Sequence, residues 1–277
     1  ATLRPALSAL ESQLQYMDSE IVLVGDPESA QQESLPDRPQ ENSVPVRCVE
    51  TRQSASLASA WNQGVENAAG EYLLLMQPRI QLHPESLGMM VEYLRGDRKI
   101  GVITPQIQTT DTAILPQCQR FPTHKDVMVS SLGLPRMFPV SRWFNGWQMG
   151  DFSHRDIREV EGAALLLWLT SQVVWNKVGP FDENFPYHFY DLDWCRRLRS
   201  AGYTTLFYPQ AKAYRLRDPL PAAVLQRRIS LFRLLDKHYD RVHQQVANFV
   251  TGVILYGTLP FHLAANVFRR RTIENNE

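Results

Sequence analysis

The chain is short of the features that would place it in several common classes. It has three cysteines in 277 residues, Cys48, Cys118 and Cys195, far apart and in no Cys-x-x-Cys pattern. That spacing argues against a disulfide framework or a zinc site and fits free, mostly buried thiols in a reducing compartment. An excess of one charge is also missing, since Lys+Arg and Asp+Glu both number 29. No net field therefore recruits nucleic acid or an anionic membrane, and any basic attraction has to be local. Gly-x-Gly-x-x-Gly, Walker, His-Glu-x-x-His and Gly-x-Ser-x-Gly strings are absent, and the seven histidines are scattered. The site classes those motifs announce are thereby left without support. The first residues lack a basic stretch followed by an apolar core, so no signal peptide is expected.

What is present reads as an α/β protein. With 44% hydrophobic residues the chain can bury a sizeable core, as one large domain or one domain with a helical tail. Leu3, Leu7, Leu10, Leu14 and Met17 recur at helical spacing and predict an amphipathic helix over 1–17. Ile21-Val22-Leu23-Val24 predicts a buried parallel strand ended by Gly25-Asp26-Pro27. Residues 31–45 are polar and proline-punctuated, the signature of a variable or disordered loop. A helix over 57–69, a central strand over 72–76 stopped by Pro78, a helix over 84–94 and a strand over 101–105 follow. Their alternation predicts a mostly parallel sheet covered by helices.

Residues 109–159 are rich in proline, aromatic and polar side chains without long periodicity, whereas 192–201 predicts a helix ending at Gly202. Toward the C-terminus, 227–238 predicts a basic amphipathic helix, and 246–268 is largely apolar before Arg269-Arg270-Arg271. At ~20 residues the apolar stretch approaches a bilayer's hydrocarbon thickness. Asn248, Pro260, His262 and Asn266 weaken it as a spanning helix. Two readings stay open: an interfacial anchor on a membrane surface helped by the basic cluster, or a helix packed on the domain or a partner.

Several strings resemble the family-2 glycosyltransferases, particularly the rhamnosyltransferase-like branch. Gln117-Cys118-Gln119-Arg120-Phe121-Pro122-Thr123 is similar to a Cys-Arg-Arg-Phe-Pro-Thr string of the acceptor-side insertion, with Met149-Gly150-Asp151 a second match. Glu161-Gly162-Ala163 resembles the Ser-Gly-Ala strand, and Val178-Gly179-Pro180-Phe181-Asp182-Glu183-Asn184-Phe185 resembles Gly-Gly-Phe-Asp-Glu-x-Phe. Phe189-Tyr190-Asp191-Leu192-Asp193-Trp194-Cys195-Arg196-Arg197 resembles Phe-Glu-Asp-Val-Asp-Leu-Cys-Arg-Arg. The similarity runs from Ile21 to Asp218. It implies the GT-A nucleotide-sugar transferase fold over 1–218, with 109–159 as the acceptor-side insertion, a helical tail over 219–277, and the family's first strand missing here.

The resemblance also implies a site, and the departures matter as much as the matches. Asp191 falls on the acid expected to act as general base, taking the proton from an acceptor hydroxyl. Its alternative is an N-cap of the helix that follows. Asp193 is expected to be structural, pairing with Arg197 one turn on. The family's Asn-Pro-Asp becomes Gln77-Pro78-Arg79, and its metal-binding His becomes Arg215. A divalent cation ~5 Å from a guanidinium, at an effective dielectric of ~20, is repelled by roughly 6 kcal/mol. No metal cofactor is therefore expected. Either Arg79 and Arg215 replace the cation on the donor's diphosphate, or the metal site decayed and both are solvated.

Val24-Gly25-Asp26-Pro27-Glu28-Ser29 aligns with Val-Asp-Asn-Gly-Ser, leaving Asp26 as a shifted candidate for the nucleotide base. Ser54-Ala55-Ser56-Leu57 replaces the Asn-x-Gly-Phe loop. Asn62, in Trp61-Asn62-Gln63-Gly64, is a candidate donor contact or else a helix-surface amide. His188 is the one histidine of interest, for its closeness in sequence to Asp191. The implied partners are a nucleotide-sugar donor and a glycan or lipid-linked acceptor, at the cytoplasmic face of a membrane and without nucleic acid. The function expected is an inverting, metal-independent or impaired glycosyltransferase. Its rival is a non-catalytic relative that serves as a scaffold in glycan assembly.

Overall fold

A computed structural model of the chain describes residues 3–14, 17–25, 44–51, 56–216, 224–239 and 242–258. The loop expected over 31–45 and the basic cluster 269–271 lie almost wholly outside them. By contact density the chain divides into two compact units. The first comprises 1–119, 153–186 and 190–218, and the second 120–152, 187–189 and 219–277. Residues 120–152, within the 109–159 stretch, group with the tail rather than with the sheet.

In the first unit, helix α1 (Leu3–Leu14) precedes the parallel pair β1 (Ile21–Gly25) and β2 (Val46–Glu50). Helix α2 (Leu57–Glu66) starts at Ser56, whose hydroxyl accepts the Ser59 N–H at 3.1 Å. That cap satisfies one of the orphan donors of the first turn. Strand β3 (Tyr72–Met76) falls where the apolar run predicts it, and a tight turn leads to β4 (Ile80–Leu82). Helix α3 (Ser86–Gly96) and the almost wholly buried β5 (Ile100–Gln108) follow.

Two-residue strands β6 (Cys118–Gln119) and β8 (Gly162–Ala163) pair with each other, and β7 (Arg158–Val160) pairs with the long β10 (Thr204–Arg215). Strand β9 (Leu167–Ser171) inserts antiparallel between β3 and β5, giving the order β3-β9-β5-β10-β4. Only β5–β10 is parallel in this sheet, so it is mixed where the sequence suggested mostly parallel. The antiparallel entry of β9 is what sequence alternation alone does not reveal.

The pleat of β9 distributes two cores. Leu167 and Leu169 join Ile80, Leu82, Ile103, Ile107 and Ala213 beneath α1 and α3, through Leu7, Leu10, Leu14, Leu87 and Met90. Trp168 points the other way, as alternation along a strand requires. There it meets Phe181 and Trp194, with Trp175 stacked on Trp194 at a centroid distance of 5.5 Å. This aromatic cluster seats the element that carries Asp191.

In the second unit, α4 (His124–Ser131) opens with a capping box in which Thr123 and Asp126 exchange hydrogen bonds. A single turn, α5 (Leu134–Met137), continues from it. Returning to the first unit, α6 (Gln172–Val178) and α7 (Tyr190–Ser200) flank the aromatic cluster. The remaining helices are α8 (Val224–His238) and α9 (Val242–Gly257) in the second unit, where α9 packs against both α4 and α8. That packing joins the insertion to the tail. Arg228, in the stretch expected to form a basic amphipathic helix, is buried, donating to the Leu255 carbonyl and, at 3.1 Å, to Thr258 Oγ1. Among the described residues no helix is long and apolar enough to cross a membrane.

All three cysteines are free; Cys118 and Cys195 are buried and Cys48 is exposed. Burial pushes the Cys195 thiol up to about 12 and the Cys118 thiol above its usual range. An alkylating reagent at neutral pH is therefore expected to modify Cys48 alone in the native protein and all three after denaturation, read by mass spectrometry. Rapid native labelling of Cys195 would contradict the packing of α7.

Candidate active site

The site is built where the end of β3 meets the loop before β9. Gln77 follows β3 directly, and its N–H donates to the Leu166 carbonyl at 2.9 Å. Its side-chain Nε2 donates to the Leu165 carbonyl at 2.7 Å. Pro78 presets φ at the first corner of a turn closed by the Ile80 N–H on the Gln77 carbonyl at 3.0 Å. Arg79 occupies the second corner, and the chain reverses into β4. There Arg215 of β10 stands opposite Ile80, and the Leu216 N–H donates to the Arg79 carbonyl at 2.9 Å. The two arginines therefore come from adjacent positions at one end of one strand pair, and both are half-buried.

Helix α7 approaches the same loop from the other side. The Leu165 N–H donates to Asp191 Oδ2 at 3.0 Å, and the Leu192 N–H donates to Asp191 Oδ1 at 2.8 Å. One residue, Leu165, thus receives Gln77 on its carbonyl and presents its N–H to Asp191. The close approach depends on Gly162, because a Cβ there would lie 2.5 Å from Leu192 Cδ1 and 3.4 Å from Cys195 Cβ. Both neighbours are buried, so there is little room to give way.

Asp191 is not the cap residue that the sequence allowed. The helix begins one residue earlier, at Tyr190, and Asp191 sits inside its first turn. Asp193 is fully buried and bonded to Arg197 Nε at 3.0 Å, as the four-residue spacing led us to expect. Arg197 also donates to the carbonyls of Val178 and Pro180, each at 2.8 Å, tying α7 to the turn after α6. Tyr190 is buried against Phe181, and its hydroxyl accepts Trp61 Nε1–H at 3.2 Å. Burial, and then the charge of Asp191, hold its phenol above the ordinary range.

Asn62 is neither at the helix surface nor open to a ligand in this arrangement. It is buried, its Nδ2 donates to the Phe181 carbonyl at 3.0 Å and to Glu183 at 3.1 Å, and its Oδ1 accepts the Phe181 N–H at 2.8 Å. These bonds fix the Phe181–Glu183 segment to α2. Asp26 and Ser54 lie outside the described residues. His188 belongs to the second unit, where burial and then Arg227 hold its imidazole below the usual value. An open cleft of about 1070 Å³ lies elsewhere in the first unit, lined by residues that include Gln106, Gln108, Gln210, Arg155 and Lys212. No carboxylate lines it, so it offers no general base.

The residue set also bears on a metal. An amide at 77 and guanidinium groups at 79 and 215 are not a donor set for a hard divalent cation, which takes oxygen ligands. Among the described residues, no group of three His, Cys, Asp or Glu side chains is arranged to hold one.

Residues 1–129 match the family model described as glycosyl transferase family 2. The structure aligns with GalNAc-T7, solved with UDP, GalNAc and Mn2+, at a TM-score of 0.58 and 13% identity over 86% of this chain and 46% of that one. It also aligns with the mannosyltransferase PcManGT from Pyrobaculum calidifontis, in complex with GDP-Man and Mn2+, at 0.54 and 14% over 100% of this chain and 77% of that one. The fold is therefore GT-A, and the sequence matches family-2 glycosyltransferases over residues 1–129. Among curated proteins, the N-acetylglucosaminyl-diphospho-decaprenol L-rhamnosyltransferase of Mycobacterium tuberculosis (strain CDC 1551 / Oshkosh) is 23% identical over 196 residues. That match covers 68% of this chain and 62% of the relative, and the same enzyme of strain ATCC 25618 / H37Rv matches equally.

In this domain the Gln77-Pro78-Arg79 and Asp191 strings, distant in sequence, are neighbours through Leu165. Gln77 was not among the residues singled out from sequence. The available signal was an amide directly after a buried strand and before a proline, at the family's Asn position. Gly162→Val is expected to overpack the α7 contact and cost about 1–3 kcal/mol. Denaturant unfolding checks this; an unchanged midpoint would mean that α7 does not depend on the missing side chain.

Proposed function

We propose that this domain catalyses inverting transfer of a sugar from a nucleotide-sugar donor to a glycan or lipid-linked acceptor. Asp191 is the general base, and Arg79 and Arg215 grip the leaving diphosphate in place of a divalent cation. One observation carries the reading: Asp191 and Gln77 both bond to the backbone of Leu165, and Gln77 leads directly into the Pro78-Arg79 turn beside Arg215. The acceptor hydroxyl donates its hydrogen bond to the Asp191 carboxylate and attacks the anomeric carbon from the face opposite the diphosphate. The new C–O bond forms as the bond to the diphosphate oxygen breaks, and the hydroxyl proton passes to Asp191. Such a base contributes ~10²–10⁴ in rate. The two guanidiniums face charge that grows on the leaving oxygens, where fixed cations act most strongly.

The lipid-linked acceptor class is suggested by the decaprenol-diphosphate named for the mycobacterial relative. We place the reaction on the cytoplasmic side of a membrane, with the tail as a peripheral attachment. The free thiols accord with a reducing compartment.

A second reading has an observation of its own. The Leu165 and Leu192 N–H bonds give the Asp191 carboxylate a structural task whether or not it takes a proton. A non-catalytic relative serving as a scaffold in glycan assembly would keep that task. Asp191→Asn separates the two: an enzyme loses turnover by at least ~10² while donor affinity stays nearly intact. Parallel loss of fold stability and donor binding favours the scaffold. Calorimetric titration with uridine and thymidine diphosphosugars is expected to give the same affinity with and without chelator. Arg79→Ala and Arg215→Ala should each cost about 1.5–3 kcal/mol of donor binding. Their combination should be non-additive, because both grip one diphosphate. Binding abolished by chelator would overturn the arginine clamp.

A further inference from the structure

The segment between α4 and the end of the insertion shows large apolar side chains to solvent. Val140 is 76% exposed, Trp143 71% and Met137 70%, with Leu132 and Phe138 exposed beside them in sequence. They are not exposed because the segment lacks structure. The Ser141 N–H donates to the Phe138 carbonyl at 3.1 Å, the Asn145 N–H to the Ser141 carbonyl at 2.8 Å, and Asn145 Nδ2 to the Pro139 carbonyl at 2.7 Å. The Gly150 N–H closes the loop on the Asn145 carbonyl at 3.2 Å. The rings of Phe138 and Phe144 lie 4.9 Å apart. Trp147, in the same loop, is buried with its indole N–H on Ser130 Oγ at 3.1 Å. A loop that buries one tryptophan with a partner and holds another outward has two differently used aromatic positions.

The charges within this loop have one sign. Between 127 and 150 the sequence has Arg136 and Arg142 and no Asp or Glu. Both arginines are exposed, and Lys125 Nζ sits 4.8 Å from the centre of the Trp143 ring. Two acids border the loop: Asp126, bonded to Thr123, and Asp151, which lies 3.5 Å from Arg120 and 3.9 Å from Arg142. In the same unit, α9 exposes Val250, Val253 and Tyr256 along one side, a helical spacing of three. Exposed apolar groups of this size mark an interaction surface. An amphipathic aromatic under a lysine, with arginines among aliphatic side chains, matches the boundary between acyl chains and anionic headgroups.

We propose that the 132–143 loop of the second unit is a membrane-contact surface, which inserts Met137, Phe138, Val140 and Trp143 among lipids while Lys125, Arg136 and Arg142 engage anionic headgroups. This surface is distinct from the apolar stretch near the C-terminus. It does not depend on the catalytic reading, because lipid binding requires no turnover.

The test is co-sedimentation of the full chain with vesicles of phosphatidylcholine alone or with added phosphatidylglycerol. Binding is expected to favour the anionic vesicles and to weaken with salt. Replacing Arg136→Glu and Arg142→Glu together should weaken it by at least ~25-fold, about fivefold for each cation near the surface. Val140→Asp with Trp143→Ala should weaken it by about tenfold or more, by loss of apolar burial. Asp191→Asn should bind vesicles as the parent does, so a failed enzyme assay and a failed lipid assay are separable. Each variant is checked by its thermal midpoint, which these exposed positions should leave nearly unchanged. Binding that is absent, equal on both vesicle types, or unaffected by both double variants overturns the proposal. So does a self-associated protein that the Val140 and Trp143 changes convert to monomer, since the patch would then be covered by a second copy.

Discussion

The backbone of Leu165 is the constraint on which the site depends. Its carbonyl holds Gln77 and its N–H is held by Asp191, so a strand end and a helix start separated by more than a hundred residues meet at the two consecutive peptides that flank one residue. A buried backbone segment with both groups satisfied resists displacement, because an orphaned donor or acceptor costs free energy comparable to a lost hydrogen bond. The neighbours reinforce this position. Gly162 lets α7 come close, Asp193 and Arg197 fasten it to the turn after α6, and the Trp168, Trp175, Phe181 and Trp194 rings fill the space behind it.

The chemical consequence lies in the sign of the charges around that frame. The strand-pair end beside Gln77 contributes Arg79 and Arg215, whereas the metal-dependent pattern of the family contributes acids and an imidazole. Such a pattern would need a cation to neutralise a diphosphate; in the function we propose, two guanidiniums carry that charge themselves. The substitution at both positions keeps the arrangement electrostatically coherent, whereas one arginine against one surviving acid would form an internal ion pair. Tyr190 follows the same logic at the helix start. The acid expected there is replaced by a phenol that completes the aromatic core and accepts from Trp61, leaving Asp191 and the buried, Arg197-bonded Asp193 as the carboxylates of that first turn.

Much of this was legible in the sequence wherever the signal was local. The apolar run that gives β3 lies between breakers, and its bounds are those of the observed strand. The Asp193–Arg197 pair followed from helical spacing alone. Long-range features were not legible. The cap alternative for Asp191 stayed open because nothing in the chain announces that Leu165 waits opposite it, and Asn62 read as a donor contact or a surface amide because its partner, the Phe181 backbone, is more than a hundred residues away. The mixed sheet was hidden for the same reason: β9 looks like any buried strand until its antiparallel neighbours are known. Likewise α9 packs against α4, a contact between two amphipathic surfaces that periodicity predicts separately and cannot pair.

The central claim is that Gln77 and Asp191 hold the backbone of one residue, Leu165, from its two sides. It is tested most directly by a double-mutant cycle on unfolding free energy, using Gln77→Ala and Asp191→Ala. Each change alone should cost about 1–3 kcal/mol by leaving a Leu165 group unsatisfied. Together they should depart from additivity by ~0.5 kcal/mol or more, as expected of residues in one hydrogen-bond network. Costs that sum to within ~0.3 kcal/mol would contradict the account, because independent sites behave in that way.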